Sequence, residues 1–69
     1  KDPKTELQEL FQSKKIELPK YDLADLGNSN FSCSVNYKDM IFKSSGTSKR
    51  IAETNVAMQL LAYMNQNND

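Results

Sequence analysis

Residues 31 to 37, Phe-Ser-Cys-Ser-Val-Asn-Tyr, alternate apolar and polar side chains without a break. A period of two marks a strand with one buried face, here Phe31, Cys33, Val35 and Tyr37. Such a strand cannot stand alone, because its backbone needs hydrogen-bonding neighbours and its apolar face needs a cover. Neighbours are available on both sides. Met40-Ile41-Phe42-Lys43 follows after only Lys38-Asp39, short enough for a tight turn. Pro19-Lys20-Tyr21-Asp22-Leu23 also alternates and opens with a proline, which suits a first or edge strand, and Gly27-Asn28-Ser29-Asn30 is a turn cluster.

The cover comes from two helices. Asp2 is a candidate N-cap with Pro3 at the first helical position, and Leu7, Leu10 and Phe11 then form one apolar stripe. A second, longer helix is expected from about Ser48 to about Asn65, with Ala52, Val56, Ala57, Leu60, Leu61, Tyr63 and Met64 as its broad apolar surface. Lys14, Lys15 and Glu17 mark a linker. The expectation is an α+β fold in the order α-β-β-β-α, a three-stranded antiparallel sheet with both helices packed on one face. With 69 residues this is one domain, expected over 1–65, and 66–69 lack any apolar anchor and read as a disordered tail.

Composition excludes several chemistries. There is no histidine and one cysteine, so an internal disulfide, the usual zinc ligand sets and Ser-His or Cys-His nucleophiles are all out of reach. No catalytic or metal-ligating residue is expected, and Cys33 reads as a small core hydrophobe. The lone cysteine suits a reducing, intracellular compartment. No apolar run approaches the roughly 20 residues that span a bilayer, so no membrane partner is expected.

Two polar features remain. At about 100° per residue, Thr5, Gln8, Glu9 and Gln12 fall together on the side of the first helix away from its apolar stripe, a ridge of hydrogen-bonding groups with little charge. The second is Ser48-Lys49-Arg50, which puts two cations on the first turn of the long helix. A helix N-terminus already carries about half a positive charge, so each cation there costs a few tenths of a kcal/mol. An external anion such as a phosphate would offset that cost; a solvated Lys-Arg pair without a partner is the other reading. Net charge is zero, yet Lys38, Lys43, Lys49 and Arg50 against Asp39 give residues 38 to 50 a local +3. A segregated patch can steer an anion even on a neutral molecule.

The strings "DPKTELQELFQ", "LPKYDL", "FSCSV" and "GTSKRIAE", in this order and spacing, resemble the double-stranded RNA-binding domain, in the form found at the C-terminal end of ribonuclease III and Dicer-like endonucleases. The resemblance covers nearly the whole chain. It implies that the first helix and the loop between the first two strands touch successive minor grooves, while the start of the second helix straddles the intervening phosphates. Thr5, Gln8, Glu9 and Gln12 would then face 2′-hydroxyls, Asn28, Ser29 and Asn30 would form the loop contact, and Ser48, Lys49 and Arg50, with Lys43 as a basic neighbour, would grip phosphate. The chain departs from the pattern twice: "GNSN" is shorter than the usual loop and lacks its Gly-Pro pair and histidine, and the third basic position of the second helix is Glu53. By this resemblance the domain holds RNA without cleaving it. It needs no cofactor or small-molecule substrate, and a divalent metal such as magnesium belongs only to a parent nuclease domain. A protein partner or homodimer, formed through the sheet or a helix face, is the alternative, and residence is cytoplasmic, or nuclear in a eukaryote.

Overall fold

The alternating segment forms the centre strand of a three-stranded antiparallel sheet. The computed structural model describes Asp2 to Asn67, in the order α1 (Pro3–Ser13), β1 (Asp22–Gly27), β2 (Asn30–Tyr37), β3 (Met40–Gly46) and α2 (Lys49–Gln66). Cys33, Val35 and Tyr37 of β2 are buried on one face with Leu7 and Phe11 of α1 and Ala52, Val56, Ala57, Leu60, Leu61 and Met64 of α2. Leu10, Tyr21, Phe31, Met40, Phe42 and Tyr63 rim this core. Helix α1 leans chiefly on α2, and it meets the sheet through Phe11, whose ring sits edge-on to Tyr37 with centroids 5.7 Å apart.

Helix α1 starts at Pro3, as its fixed φ predicts, but Asp2 makes no side-chain cap. Its carboxylate instead accepts from the Thr5 hydroxyl at 3.3 Å. The helix ends where Lys15 turns to φ 58°, with the Lys15 amide donating to the Gln12 carbonyl and the Ile16 amide to the Phe11 carbonyl. This pair of bonds is a Schellman motif built without glycine. Lys14 and Lys15 thus open the expected linker between α1 and β1 and also stop the helix.

The first strand lies three residues later than its alternation suggests. Pro19 to Tyr21 run outside the sheet, and β1 covers Asp22–Gly27, exposed throughout. Strand identity follows the ladder: β2 supplies partners from Asp22, opposite Ser34, while Tyr21 packs on the core rim. The turn cluster contracts accordingly, since Gly27 pairs with Asn30 and only Asn28 and Ser29 form the loop. Both have positive φ, 54° and 58°, which is the two-residue type I′ geometry that matches strand twist. Gly27, at φ 84°, follows a bulge at Leu26, and its amide donates to Asp25 at 2.9 Å. Lys38-Asp39 is the tight turn expected, and β3 continues past Lys43 to Gly46.

Helix α2 begins at Lys49 with Ser48 as N-cap and runs to Gln66, beyond the expected end near Asn65. Asn67 closes it, donating from Nδ2 to the Tyr63 carbonyl at 2.8 Å. Gln66 and Asn67 are therefore helix end and cap; the rest of the expected 66–69 tail lies outside the described residues.

Candidate nucleic-acid interface

Antiparallel register decides which polar groups share an end of the molecule. Gly46, the last residue of β3, pairs with Phe31, next to the β1–β2 turn. The Asn28-Ser29 hairpin and the start of α2 therefore lie at the same end of the sheet. The N-terminal turn of α1 is tied to α2, because Lys4 Nζ reaches Glu53 Oε1, one turn into α2, at 2.8 Å. Three segments far apart in sequence thus frame one surface, with the hairpin and the α2 start at one end of the sheet and α1 running from α2 toward the other end, where Phe11 packs on Tyr37.

Each contributes differently. On α1, Leu7 and Phe11 are buried and Thr5, Gln8, Glu9 and Gln12 are exposed, so the ridge is displayed as its spacing requires. The hairpin exposes Asn28, Ser29 and Asn30, with Leu26 beside them 61% exposed, and it carries no cation. At α2, Ser48 Oγ accepts the Ile51 amide at 3.1 Å and the Ser48 carbonyl accepts the Ala52 amide at 3.0 Å. By helix geometry the amides of Lys49 and Arg50 have no intrahelical acceptor. Both side chains are exposed and no acidic residue occupies that first turn. Two orphan amides and two cations thus form one positive pole, suited to phosphate oxygens.

The junction before this pole is tied to the sheet. Asn55 Nδ2 donates to the Ser45 carbonyl at 2.8 Å and Gln59 Nε2 to Ser44 Oγ at 3.5 Å, tying α2 to the end of β3. Gly46 has no room for a side chain: a Cβ there would lie 2.5 Å from Ile51 Cγ2 and 2.8 Å from the Ala52 nitrogen. Nothing in the sequence singled out this glycine, since the feature it serves is a close approach rather than a turn.

The basic run 38 to 50 does not stay together. Along β3, Met40, Phe42 and Ser44 turn toward the helices, whereas Ile41, Lys43 and Ser45 project from the helix-free face. Lys43, opposite Ser34, is therefore on the far side of the sheet from α2. Lys38 sits at the other end of β3, its ammonium 5.4 Å from the Tyr37 ring centroid. A strand rising about 3.3 Å per residue separates Lys38 from Gly46 by more than 20 Å. Only Lys49 and Arg50 remain as a pair.

Glu53, the acid at the third basic position, has its carboxylate turned to Lys4, with side chains 21% and 44% exposed. The Lys4 ammonium also lies 4.9 Å from the Tyr21 ring centroid, and Lys4, Gln8, Leu18, Pro19 and Tyr21 line a cavity of about 150 Å³. Burial, then the charges of Cys33, Glu53 and Asp2, push the Tyr21 phenol from 10 up to about 12. Burial, with Glu53 and Asp22 adding and Lys4 opposing, also raises the Cys33 thiol above its ordinary 9. Raised acids favour the protonated folded state, so this stability is whole below pH 9 and is lost as pH climbs toward about 12. Urea unfolding should show that alkaline decline, and Tyr21→Phe should make it shallower.

Fold and surface together define a nucleic-acid-binding module of the α-β-β-β-α type. The family model for the double-stranded RNA binding motif matches residues 3–64, and the chain belongs to that family. It is similar to Ribonuclease 3 of Glaesserella parasuis, 45% identical over 93% of this chain, and to that of Actinobacillus pleuropneumoniae serotype 5b, 44% identical over the same share. Ribonuclease 3 of Idiomarina loihiensis is 40% identical over 96%. The chain spans 31% of the length of each of these relatives.

Proposed function

We propose that this domain binds A-form double-stranded RNA by shape and is the substrate-holding module of a bacterial ribonuclease III-type enzyme. The observation that carries the reading is the β1–β2 hairpin and the α2 positive pole at one end of the sheet, with the exposed α1 ridge tied to α2 through Lys4 and Glu53. A neutral hydrogen-bonding ridge suits 2′-hydroxyls and minor-groove edges, and Glu9 can accept from a ribose hydroxyl. A positive pole of amides and cations suits phosphate, which carries no sequence information. Sequence preference should accordingly be slight.

Cleavage would lie in another domain of the parent, where clustered carboxylates and a divalent metal such as magnesium hydrolyse the phosphodiester. Among the described residues no group of three His, Cys, Asp or Glu side chains could hold a metal ion. The bacterial origin of the similar proteins supports a ribonuclease III parent over a Dicer-like one, and cytoplasmic residence over nuclear.

Titration of the labelled domain with an RNA duplex of about 16 base pairs, the span such modules cover, tests this directly. Amides of Thr5 to Gln12, Asn28 to Asn30 and Ser48 to Arg50 should shift, and a DNA duplex of the same sequence should shift them far less. With about three phosphates neutralised, log K should fall with log salt at a slope of roughly −2 to −4. A spectrum unmoved by RNA would remove the proposal; a concentration-dependent mass in sedimentation without RNA would point to self-association instead.

A further inference from the structure

Glu53 stands one turn below Lys49 on the same side of α2, since positions four apart are neighbours on a helix surface. If charge were all that mattered, an acid there would only repel the phosphates that Lys49 and Arg50 grip. Its geometry suggests another task. The carboxylate is mostly shielded and pairs at 2.8 Å with Lys4 across 49 residues of sequence, tying the first turn of α1 to α2 one turn from its N-terminus. Lys4 belongs to the same helix as the ridge, shares a small cavity with Gln8, and is further held over the Tyr21 ring at 4.9 Å.

We propose that Lys4 and Glu53 are positioning residues for RNA, an ion pair that fixes the α1 ridge relative to the Lys49-Arg50 pole so that both meet one duplex. The inference rests on the RNA-binding reading above. The two contacts fall on different grooves of a helix with fixed dimensions, so their offset matters as much as their chemistry. Leu7 and Phe11 also hold α1 through buried apolar contacts, which are non-directional. A charged hydrogen bond of good geometry is directional and sets that angle. Glu53 thereby serves binding although its charge opposes phosphate.

This makes an unusual forecast for Glu53→Gln. Removing a negative charge beside a phosphate site should tighten binding by simple electrostatics; removing a positioning pair should weaken it. We expect affinity for the 16-base-pair duplex to fall about threefold to tenfold, with the salt slope unchanged because no phosphate contact is lost. Lys4→Met should give a similar loss, the double variant no more than either single one, and Lys4→Arg, which keeps the pair, should bind as the wild type does. Binding of Glu53→Gln as tight as wild type or tighter, or a slope steeper by about one, would overturn the proposal and show that Glu53 merely masks Lys4. A slope shallower by about one for Lys4→Met would also overturn it, by making Lys4 a phosphate ligand in its own right. If Glu53→Gln does not fold, the Lys4 variants, altered on the more exposed partner, decide the matter. A wild-type domain that ignores duplex RNA would instead sink the RNA-binding reading itself, before any variant is compared.

Discussion

Replacing both Lys49 and Arg50 with alanine should weaken binding to any RNA duplex by about 2 to 3 kcal/mol, roughly 30- to 150-fold, and flatten the salt slope by about two. The loss should be uniform across sequences, since these residues face phosphate and not base edges. The free domain should move the other way. Its α2 begins with two cations, no acidic residue in the first turn and a Ser48 cap that satisfies only one of the leading amides through its side chain. Removing the cations relieves their repulsion from the helix dipole, so urea unfolding without RNA should show a gain of about 0.5 kcal/mol. Weaker binding with a more stable free state separates a functional charge placement from a structural one. A double variant that loses stability and affinity together would mean that the pair helps hold the fold.

The second large effect is expected at Gly46. An alanine methyl would enter space held by Ile51 Cγ2 at 2.5 Å, Ala52 nitrogen at 2.8 Å and Ile51 Cβ at 2.9 Å. Ile51 could rotate, but the Ala52 nitrogen is helix backbone, fixed by its bond to the Ser48 carbonyl. The start of α2 must then shift or β3 must bend, at a cost of about 1 to 3 kcal/mol by analogy with overpacked cores. RNA affinity should drop as well, because Ser48, Lys49 and Arg50 move with the helix end. Adding Ile51→Ala should recover part of the stability and less of the affinity. Full recovery of both would mean that side-chain crowding alone, and not the placement of the helix end, was at stake.

What the sequence disclosed and what it hid follow from the range of the interactions. The Phe31 to Tyr37 alternation and the stripe from Ala52 to Met64 are local periodicities, and they were legible because burial imposes the repeat on each element separately. Polar residues of the α1 ridge were legible as the complement of a stripe. The start of β1 was not, since alternation at Pro19 to Leu23 says nothing of where β2 begins to offer partners. A linear window of charge misjudged Lys43, because neighbouring residues of a strand face opposite ways and only the fold says which side carries α2. Lys4 and Glu53, 49 positions apart, have no local signal at all. The clearance at Gly46 is equally invisible until the helix is laid on the strand.

Because α1 rests mainly on α2 and touches the sheet through Phe11, the ridge and the phosphate pole are both mounted on one helix. That helix acts as the beam of a caliper, with α1 as one jaw and its own N-terminus as the other. The exposed β1 edge, which packs chiefly on β2, carries neither jaw. Sliding α1 along α2 changes it at once. Changes in substrate selectivity among variants of this domain should therefore concentrate at the contact between the two helices, away from every residue that touches RNA.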